Sequence, residues 1–250
     1  PCPNDGGGLF NYGHALQTAL LFYEAQRSGS VASDSRLPWR GDSFMNAGME
    51  QVFGDYDVDL RQRYMDAGDS PTFVLPISSA MTMLSWSAIE YPGGYASASQ
   101  RDELERTLRW HADWCIEAHP EPNVFCGQIG QGDDAHAYWL SAEVYPATYT
   151  PKAWWLTPDS PGSEPPAESA AFLAAASMVF ADADPDYAQT LLSHAIQLHT
   201  FADQYQGLYH ETITNVASAY QSWSGFYDEL CWSALWLYRA TGDDAWLTKS

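Results

Sequence analysis

Six stretches of this chain repeat apolar residues at the spacing of one face of an α-helix, and short and long connections alternate between them. Glycine or proline follows several of the stretches, which marks helix ends. The predicted helices cover residues 10–27, 75–91, 99–119, 164–180, 186–204 and 227–241, and a seventh begins at Asp243. Helices of similar length joined in this way form hairpins that pack side by side. The pattern therefore predicts an all-α fold with its hairpins arranged as a ring, a helical toroid.

Three long connections, residues 30–71, 121–163 and 206–226, are rich in glycine, proline, aspartate and aromatic residues. Long loops without secondary structure of their own are usually functional in a compact domain. We therefore expect the binding and catalytic residues to lie in these connections.

The first long connection ends in two aspartates three residues apart, Asp66 and Asp69, with Ala67 and Gly68 between them. Gly68 is expected to permit a tight turn that lets both carboxylates converge on one point in a cleft. In sugar hydrolysis, one such carboxylate can deprotonate a water molecule while its neighbour holds that water in place. A helix start, with Asp69 as the N-cap of the helix that follows, explains the same residues. The motif alone leaves both interpretations open.

Composition narrows the class of partner. The chain has 11 basic and 32 acidic residues, a formal net charge of −21. Nucleic acid is therefore not expected as a partner, because phosphate binding needs a surface rich in lysine and arginine. The aromatic residues include 11 Trp and 15 Tyr, which suits a cleft that stacks the flat faces of sugars as well as an aromatic core.

The ends of the chain and its four cysteines say less about the class of protein than the composition does. No stretch approaches the roughly 18 apolar residues of a membrane span, and the first residues lack a secretory leader pattern, so we expect a mature chain or one cut from a longer protein. The four cysteines, Cys2, Cys115, Cys126 and Cys231, are too few for a disulfide scaffold and form no C-x-x-C pair. Cys115 and Cys126 are close enough in sequence to bridge, and Cys231 is expected to be a buried free thiol.

Ordered motifs along nearly the whole chain resemble one family. The motifs are LFYEAQRSG at residues 21–29, WRGDS at 39–43, DAGD at 66–69, QIG at 128–130, SWSGFYDEL at 222–230 and ALWLYRATG at 234–242. Together they resemble glycoside hydrolase family 9, the inverting cellulases, which are mostly endo-β-1,4-glucanases built as an (α/α)6 barrel. The resemblance implies that residues 1–250 are the N-terminal portion of a single catalytic domain, with about half of the barrel present.

The resemblance also implies roles for individual residues. Asp69 matches the general base that deprotonates the attacking water, and Asp66 matches its partner in holding that water. In an inverting mechanism the acid stands on the opposite side of the bond, about 6.5–9.5 Å from the base. Residues matching the sugar subsites are His136, Trp139, Tyr220 and Trp223. A structural, hydrogen-bonded histidine and ordinary core aromatics are the simpler alternatives.

A calcium site is implied at Ser224, Gly225, Asp228 and Glu229. Two backbone carbonyls and two carboxylates are hard oxygen ligands of the kind that calcium prefers. The cation would have a structural role and tie the loop after Trp223 to the following helix. A helix N-terminus, which favours acidic residues through its dipole, explains Asp228 and Glu229 equally well.

The chain departs from the family pattern beside the aspartates. The usual Gly-Gly-Tyr-Tyr ahead of the Asp-Ala-Gly-Asp is here Gln62-Arg63-Tyr64-Met65, and the lysine that commonly follows is replaced by Thr72. Long side chains in place of two glycines are expected to alter the turn that presents Asp66.

The general acid of the family is a glutamate near the end of a longer domain, and nothing here aligns with it. By residue type alone, Glu143, Glu211 and Glu229 are substitutes. We expect the acid beyond Ser250, and an isolated 250-residue chain without activity, since each such group contributes about 10²–10⁴-fold. The expected protein is a secreted, monomeric glucanase acting on cellulose or a related β-1,4-glucan, without membrane or nucleic-acid partners. The alternative is a protein that binds β-glucan without cutting it.

Overall fold

Six long helices form the frame of the molecule. The computed structural model describes residues 10–33 and 35–249. The long helices are α1 (Tyr12–Ala25), α2 (Val74–Glu90), α4 (Arg101–Glu117), α6 (Glu164–Phe180), α7 (Pro185–Gln204) and α10 (Tyr227–Thr241), and the short ones are α3 (Pro92–Ser97), α5 (Gly132–His136), α8 (Tyr209–Thr212) and α9 (Ala217–Tyr220). Each of the six predicted helices is present, with ends shifted by a few residues at most. The predicted all-α class is thus confirmed for the frame.

The seventh predicted helix takes a different form in the part of the chain that the structure describes. It is a 3₁₀ helix, Asp244–Thr248. Its first turn is closed by the side chain of Asp243, which accepts from the backbone N–H of Ala245 at 2.9 Å. A carboxylate that bonds its own neighbouring backbone favours a tight turn over a regular α-helical start.

Helix α6 is the centre of the packing. Every side chain along it except that of Met178 is buried, and the helix packs against α2, α7 and α10. Its many alanines let neighbouring backbones approach closely, and a largely apolar helix of this kind is expected to be buried. A buried polar link joins three helices at this centre: Ser78 Oγ lies 3.0 Å from His111 Nε2 and 3.0 Å from Ser169 Oγ.

The ends of the helices follow local chemistry. Helix α7 begins after Asp184, whose side chain accepts from the backbone N–H of Tyr187 at 3.3 Å, and Pro185 occupies the first turn. Helix α10 ends at Gly242, which has a φ of 69° and donates its N–H to the Tyr238 carbonyl at 2.7 Å. A left-handed residue at this place is the usual helix stop that glycine serves.

Two of the long connections are not the unstructured loops that the sequence predicts. They contribute three of the four strands of a small sheet, whose strands are β1 (Gln51–Val52), β2 (Thr72–Phe73), β3 (Phe125–Ile129) and β4 (Ala153–Leu156), in the order β1-β4-β3-β2. β1 and β4 are parallel, and the other pairs are antiparallel. Strand β2 links the Asp66–Asp69 segment directly to α2, so the sheet fixes where the aspartates stand.

The cysteine predictions are partly confirmed. Cys115 and Cys126 are buried free thiols and do not bridge. Their sulfur atoms have other neighbours: Cys115 Sγ lies 3.6 Å from His111 Nε2, and Cys126 Sγ donates to the Gln128 carbonyl at 3.4 Å. Cys231 is free but only half-buried, because its place on α10 lies at the edge of the packed face. Cys2 lies outside the described residues.

Among the helices that the structure describes, none combines the length and the apolar character needed to cross a bilayer.

Candidate active site

A tight turn presents the two aspartates. The N–H of Asp69 donates to the carbonyl of Asp66 at 3.2 Å, and the N–H of Asp66 donates to the carbonyl of Pro71 at 2.8 Å. The residue with a left-handed backbone is Ala67, with a φ of 38°, and Gly68 is not among the residues with positive φ. The expected role of Gly68 in the turn is therefore wrong. A Cβ at Gly68 would meet no atom within 4 Å, so close packing does not require a glycine at this position.

The helix-start interpretation of Asp69 is also wrong. Helix α2 begins at Val74, its N-cap is Phe73, and the side chain of Phe73 makes no capping hydrogen bond. Strand β2 separates the turn from the helix, so the carboxylate of Asp69 cannot reach the first N–H groups of α2. Asp69 is free for another task.

Each aspartate is held by one residue from a distant loop. The hydroxyl of Tyr220, the last residue of α9, donates to Asp66 Oδ2 at 2.6 Å. On the other side, Nε2 of His136, the last residue of α5, lies 3.0 Å from Asp69 Oδ2. The second oxygen of Asp69, Oδ1, is buried and has no hydrogen-bond partner among the described residues. A buried acceptor without a partner calls for an explanation, and a catalytic role is one of those that explain it.

The surroundings act on the acidity of both carboxyls. Burial raises the pKa of Asp69 above its usual value, while the hydrogen bond from His136 and the positive charge of Arg63 oppose this rise. Burial also raises the pKa of Asp66, the bond from Tyr220 opposes it, and the charge of Asp69 adds to it. Burial and the neighbouring Asp66 raise the pKa of Tyr220, so this phenol remains a donor. Two carboxyls with raised pKa values in one site are typical of acid–base chemistry.

The predicted subsite residues fall into two groups. His136 and Tyr220 meet the aspartates, and the ring of Tyr220 packs on Phe73 with 5.0 Å between centroids. Trp139 and Trp223 follow them by three residues each and stand on the surface, 98% and 88% exposed. Rings this exposed are not core aromatics, which contradicts the simpler alternative for Trp223.

A cleft of about 360 Å³ opens beside Asp69. Its lining includes Trp39, 66% exposed, together with Leu140 and Glu143. The sequence pattern contained Trp39 within the WRGDS motif, but this residue was not among the predicted site residues. Its exposure on the cleft wall, which no periodicity reveals, is what marks it.

The three substitute acids do not take that role here. Glu143 lies in the cleft, but Oε1 forms an ion pair with Arg40 Nη1 and also accepts from the N–H of Gly41 at 3.0 Å. A cation beside a carboxyl favours the charged form, whereas a general acid must carry a proton. Glu211 belongs to the short helix α8 and Glu229 to α10, and neither lines this cleft.

The four residues of the implied calcium site lie together around the start of α10. Ser224 and Gly225 precede the helix, and Asp228 and Glu229 are in its first turn. Burial and the bond with Asp228 raise the pKa of Glu229 to about 8, and Glu229 Oε2 is buried without a partner. No group of three or more His, Cys, Asp or Glu side chains in the described ranges is arranged to hold a metal. The donor set that the resemblance implies is therefore two carboxylates with two backbone carbonyls.

The helices carry, on their long connections, two partly buried carboxylates to an open cleft, and a pair of carboxyl groups is what glycoside hydrolases use. Residues 12–250 match the family model described as Glycosyl hydrolase family 9. The chain belongs to that family.

Relatives and solved structures agree with this assignment. The chain is 44% identical to Endoglucanase B of Cellulomonas fimi over 241 residues, 96% of this chain and 22% of that protein. It superposes on an endoglucanase of the termite Nasutitermes takasagoensis with a TM-score of 0.90 and 41% identity, over 97% of this chain and 54% of the termite chain. It also superposes on endoglucanase CelQ of Clostridium thermocellum, solved with cellotriose, with a TM-score of 0.82 and 34% identity, over 96% of this chain and 36% of that one. The chain thus spans less than half the length of the curated relatives that it matches, and its fold is about half of an (α/α)6 barrel.

Proposed function

We propose that the protein to which this chain belongs hydrolyses internal β-1,4-glucosidic bonds of cellulose and related β-glucans with inversion at the anomeric carbon. The observation that carries the proposal is the unpaired, buried Oδ1 of Asp69 beside an open cleft, with Oδ2 of the same carboxylate held by His136. The bound cello-oligosaccharide of the CelQ relative supports a β-glucan as the substrate class.

The chemistry assigned to this chain is the activation of water. Asp69 accepts a proton from water at Oδ1 while His136 fixes the orientation of the carboxylate through Oδ2. Asp66, whose Oδ2 is engaged by Tyr220, holds the water with its remaining acceptor capacity. The hydroxide equivalent attacks the anomeric carbon, and the general acid, a glutamate that we place beyond Ser250, protonates the leaving oxygen.

The exposed tryptophans are proposed to bind the sugar chain. Trp139 and Trp223 each come three residues after a residue that holds an aspartate, and both rings are exposed. Flat aromatic rings provide a surface on which the apolar faces of glucose units can stack, and this stacking binds the glucan. Trp39, on the cleft wall next to Asp69, is a third such surface.

A structural calcium ion is proposed at the start of α10. The carbonyls of Ser224 and Gly225 and the carboxylates of Asp228 and Glu229 would hold it. The donor set supports this, since neither carboxylate forms an ion pair with a Lys or Arg of the described residues and Glu229 Oε2 lacks any partner. When bound, calcium would neutralise the two carboxylates and tie the loop that carries Trp223 to α10.

Thermal unfolding with millimolar calcium and with EDTA tests the site. We expect calcium to raise the Tm of the intact protein by several degrees, because a ligand of the native state stabilises it. Glu229→Gln should lose most of this rise, and Glu211→Gln, a change of the same size outside the site, should keep it. An equal rise in the Glu229→Gln variant would rule the site out.

We further propose that residues 1–250 are the N-terminal portion of a single catalytic domain, and that the protein is a secreted monomer. The partial coverage of the relatives named above supports the first point, and the family resemblance supports the second. Size-exclusion chromatography with light scattering of protein recovered from the medium checks both mass and location.

The hydrolysis itself is tested with the intact protein and cellopentaose, followed by proton NMR of the anomeric signals. The expected result is new reducing ends that appear first as the α-anomer, the sign of inversion. First appearance of the β-anomer would contradict the mechanism. Saturable binding of cellopentaose without any new reducing ends would instead establish a non-catalytic β-glucan-binding protein.

A further inference from the structure

A completely buried arginine lies under the turn that carries Asp69. The side chain of Arg63 is 0% exposed. Its Nη1 donates to the carbonyl of Ser70 at 2.8 Å and to Thr72 Oγ1 at 2.6 Å. Both acceptors belong to the segment that immediately follows Asp69. Its Nε and Nη2 have no hydrogen-bond partner among the described residues, and no carboxylate there forms an ion pair with it.

A buried charge without a paired carboxylate is costly, which calls for a reason to keep it. Burial lowers the pKa of Arg63 to about 10, which still leaves it positive at neutral pH. Tyr149, Cys126 and Asp69 are the groups whose negative charge would favour the cation. Burial raises the pKa values of Tyr149 and Cys126, so both are neutral at pH 7. Asp69 is therefore the carboxylate among these three groups, and its charge and that of Arg63 favour each other.

The segment between Asp69 and α2 depends on the same side chain. Thr72 Oγ1, which accepts from Arg63, donates in turn to the carbonyl of Tyr64 at 2.5 Å. Ser70 Oγ lies 2.8 Å from the hydroxyl of Tyr149. The guanidinium thus links the segment before the turn to strand β2 after it, and it lies 5.4 Å from the ring centre of Phe44.

Two departures from the family pattern meet at one hydrogen bond. Arg63 stands where the pattern has glycine, and Thr72 stands where it has lysine. The bond between Arg63 Nη1 and Thr72 Oγ1 brings a positive charge from position 63 to position 72. The hydrogen bond links the two replacements, because Thr72 supplies an acceptor for the buried guanidinium and Arg63 supplies a cation beside the turn.

We propose that Arg63 is a positioning residue for the reaction, which fixes the backbone behind Asp69 and keeps that carboxylate in its charged, proton-accepting form. The inference rests on the proposed hydrolysis. The other titratable groups that face Asp69 are His136 from α5, Tyr220 from α9 and Asp66 in the same turn. Asp66 and Asp69 repel each other. The hydrogen bond from Tyr220 offsets this repulsion at Asp66, and His136 and Arg63 offset it at Asp69.

The test compares variants of the intact protein through the pH dependence of kcat/KM on a soluble cello-oligosaccharide. Arg63→Met should lower kcat by about tenfold or more, because a small misplacement of the base is enough for such a loss. Its acidic limb should move upward by about one pH unit, as expected when a nearby opposite charge is removed. KM should change less than threefold, since the residue does not touch the sugar.

A matched pair separates charge from packing. The double variants Arg63→Gly with Thr72→Lys and Arg63→Gly with Thr72→Met share the same backbone change and differ by one cation. The lysine variant should keep the wild-type acidic limb, and the methionine variant should shift it upward. This pair decides the question if Arg63→Met fails to fold. Arg27→Met removes another buried arginine, one bonded to Tyr64 rather than to the turn, and should leave the limb in place.

The outcomes distinguish the two proposals. A wild-type protein that releases no reducing ends would refute the hydrolysis and the role of Arg63 with it. Hydrolysis by the wild type together with identical acidic limbs in both double variants and in Arg63→Met would refute the role of Arg63 alone.

Discussion

Tyr220 donates its hydroxyl to Asp66 Oδ2 over 2.6 Å, although 154 residues separate the two along the chain. His136 makes the corresponding contact with Asp69, so each aspartate is oriented by a residue from a different long loop. A fold that brings these loops together is therefore a condition for the chemistry. The helices provide the frame, and four side chains from three connections form the site.

Tyr220→Phe tests this bond. The phenol opposes the rise of the Asp66 pKa that burial causes, so its removal should raise that pKa further. We expect kcat to fall about tenfold, since a mispositioned water costs catalysis more than binding. The control is Tyr187→Phe, which removes a bond of the same length, from Tyr187 to Asp113 Oδ1 between α7 and α4. It should reduce stability and leave the kcat unchanged, and equal losses of kcat in both variants would disprove the role of Tyr220.

His136→Ala tests the contact between His136 and Asp69. The histidine lowers the pKa of Asp69 by hydrogen bonding and by its charge. Without it, the acidic limb of kcat/KM should move to higher pH, because Asp69 then takes up a proton more readily. The exposed His14 on α1 provides the matched change, and His14→Ala should leave the profile as it is. A profile that His136→Ala does not move would show that Asp69 is not the base.

Gly68→Ala and Gly29→Ala compare two glycines. Position 68 has no positive φ, and an added Cβ meets nothing within 4 Å. The Tm of the Gly68→Ala variant should therefore differ little from that of the wild type. At Gly29, with a φ of 90°, a Cβ would lie 2.7 Å from the carbonyl oxygen of Arg61. We expect Gly29→Ala to lower the free energy of unfolding by about 2 kcal/mol or more, through backbone strain and clash. Differential scanning calorimetry measures both, and a large loss in Gly68→Ala would refute this account of the turn.

The raised pKa of Glu168 makes the free energy of unfolding depend on pH. Burial raises the pKa of this α6 carboxyl to about 7 from its usual 4.5. The folded state thus binds the proton more tightly than the unfolded state does. The contribution to stability is fully present below pH 4.5 and is lost as the pH rises through 7, an effect of up to about 3 kcal/mol.

Glu168→Gln should remove this dependence. Denaturant unfolding with EDTA present, at pH 5 and at pH 8, should show the wild type losing more free energy of unfolding than the variant over that range. Asp113→Asn, at a carboxyl on α4 whose pKa is also raised, reports on the remainder of the effect. Equal losses in the wild type and in Glu168→Gln would mean that Glu168 does not control this range.

The sequence was sufficient for the helices and insufficient for the sheet. Helices such as α6 and α7 carry their signal in local spacing, so periodicity found them. Strand β2 has two residues and exists because Thr72 and Phe73 pair with Ile129 and Gln128. Such a long-range pairing leaves no mark in a window of neighbouring residues.

The candidate site also contains residues with a local sequence signal and residues without one. Asp66 and Asp69 are local, and the motif between them marked both. Their partners were recognised only through the family resemblance, since no spacing argument connects His136 or Tyr220 to the turn. Arg63 was read as a disturbance of the turn, whereas the structure places it beneath the turn as a hydrogen-bond donor. Whether a long side chain disturbs or supports a turn depends on what lies nine residues further along, at Thr72.

The most direct test of the account is reducing-end release from carboxymethyl cellulose by the intact protein and by its Asp69→Asn variant. Asp59→Asn, at an exposed aspartate paired with Arg61, provides the control of equal size. We predict release by the wild type and by Asp59→Asn, and a loss of at least about a hundredfold in Asp69→Asn with cello-oligosaccharide binding intact. Release by Asp69→Asn at the wild-type rate would contradict the assignment of Asp69 as the base.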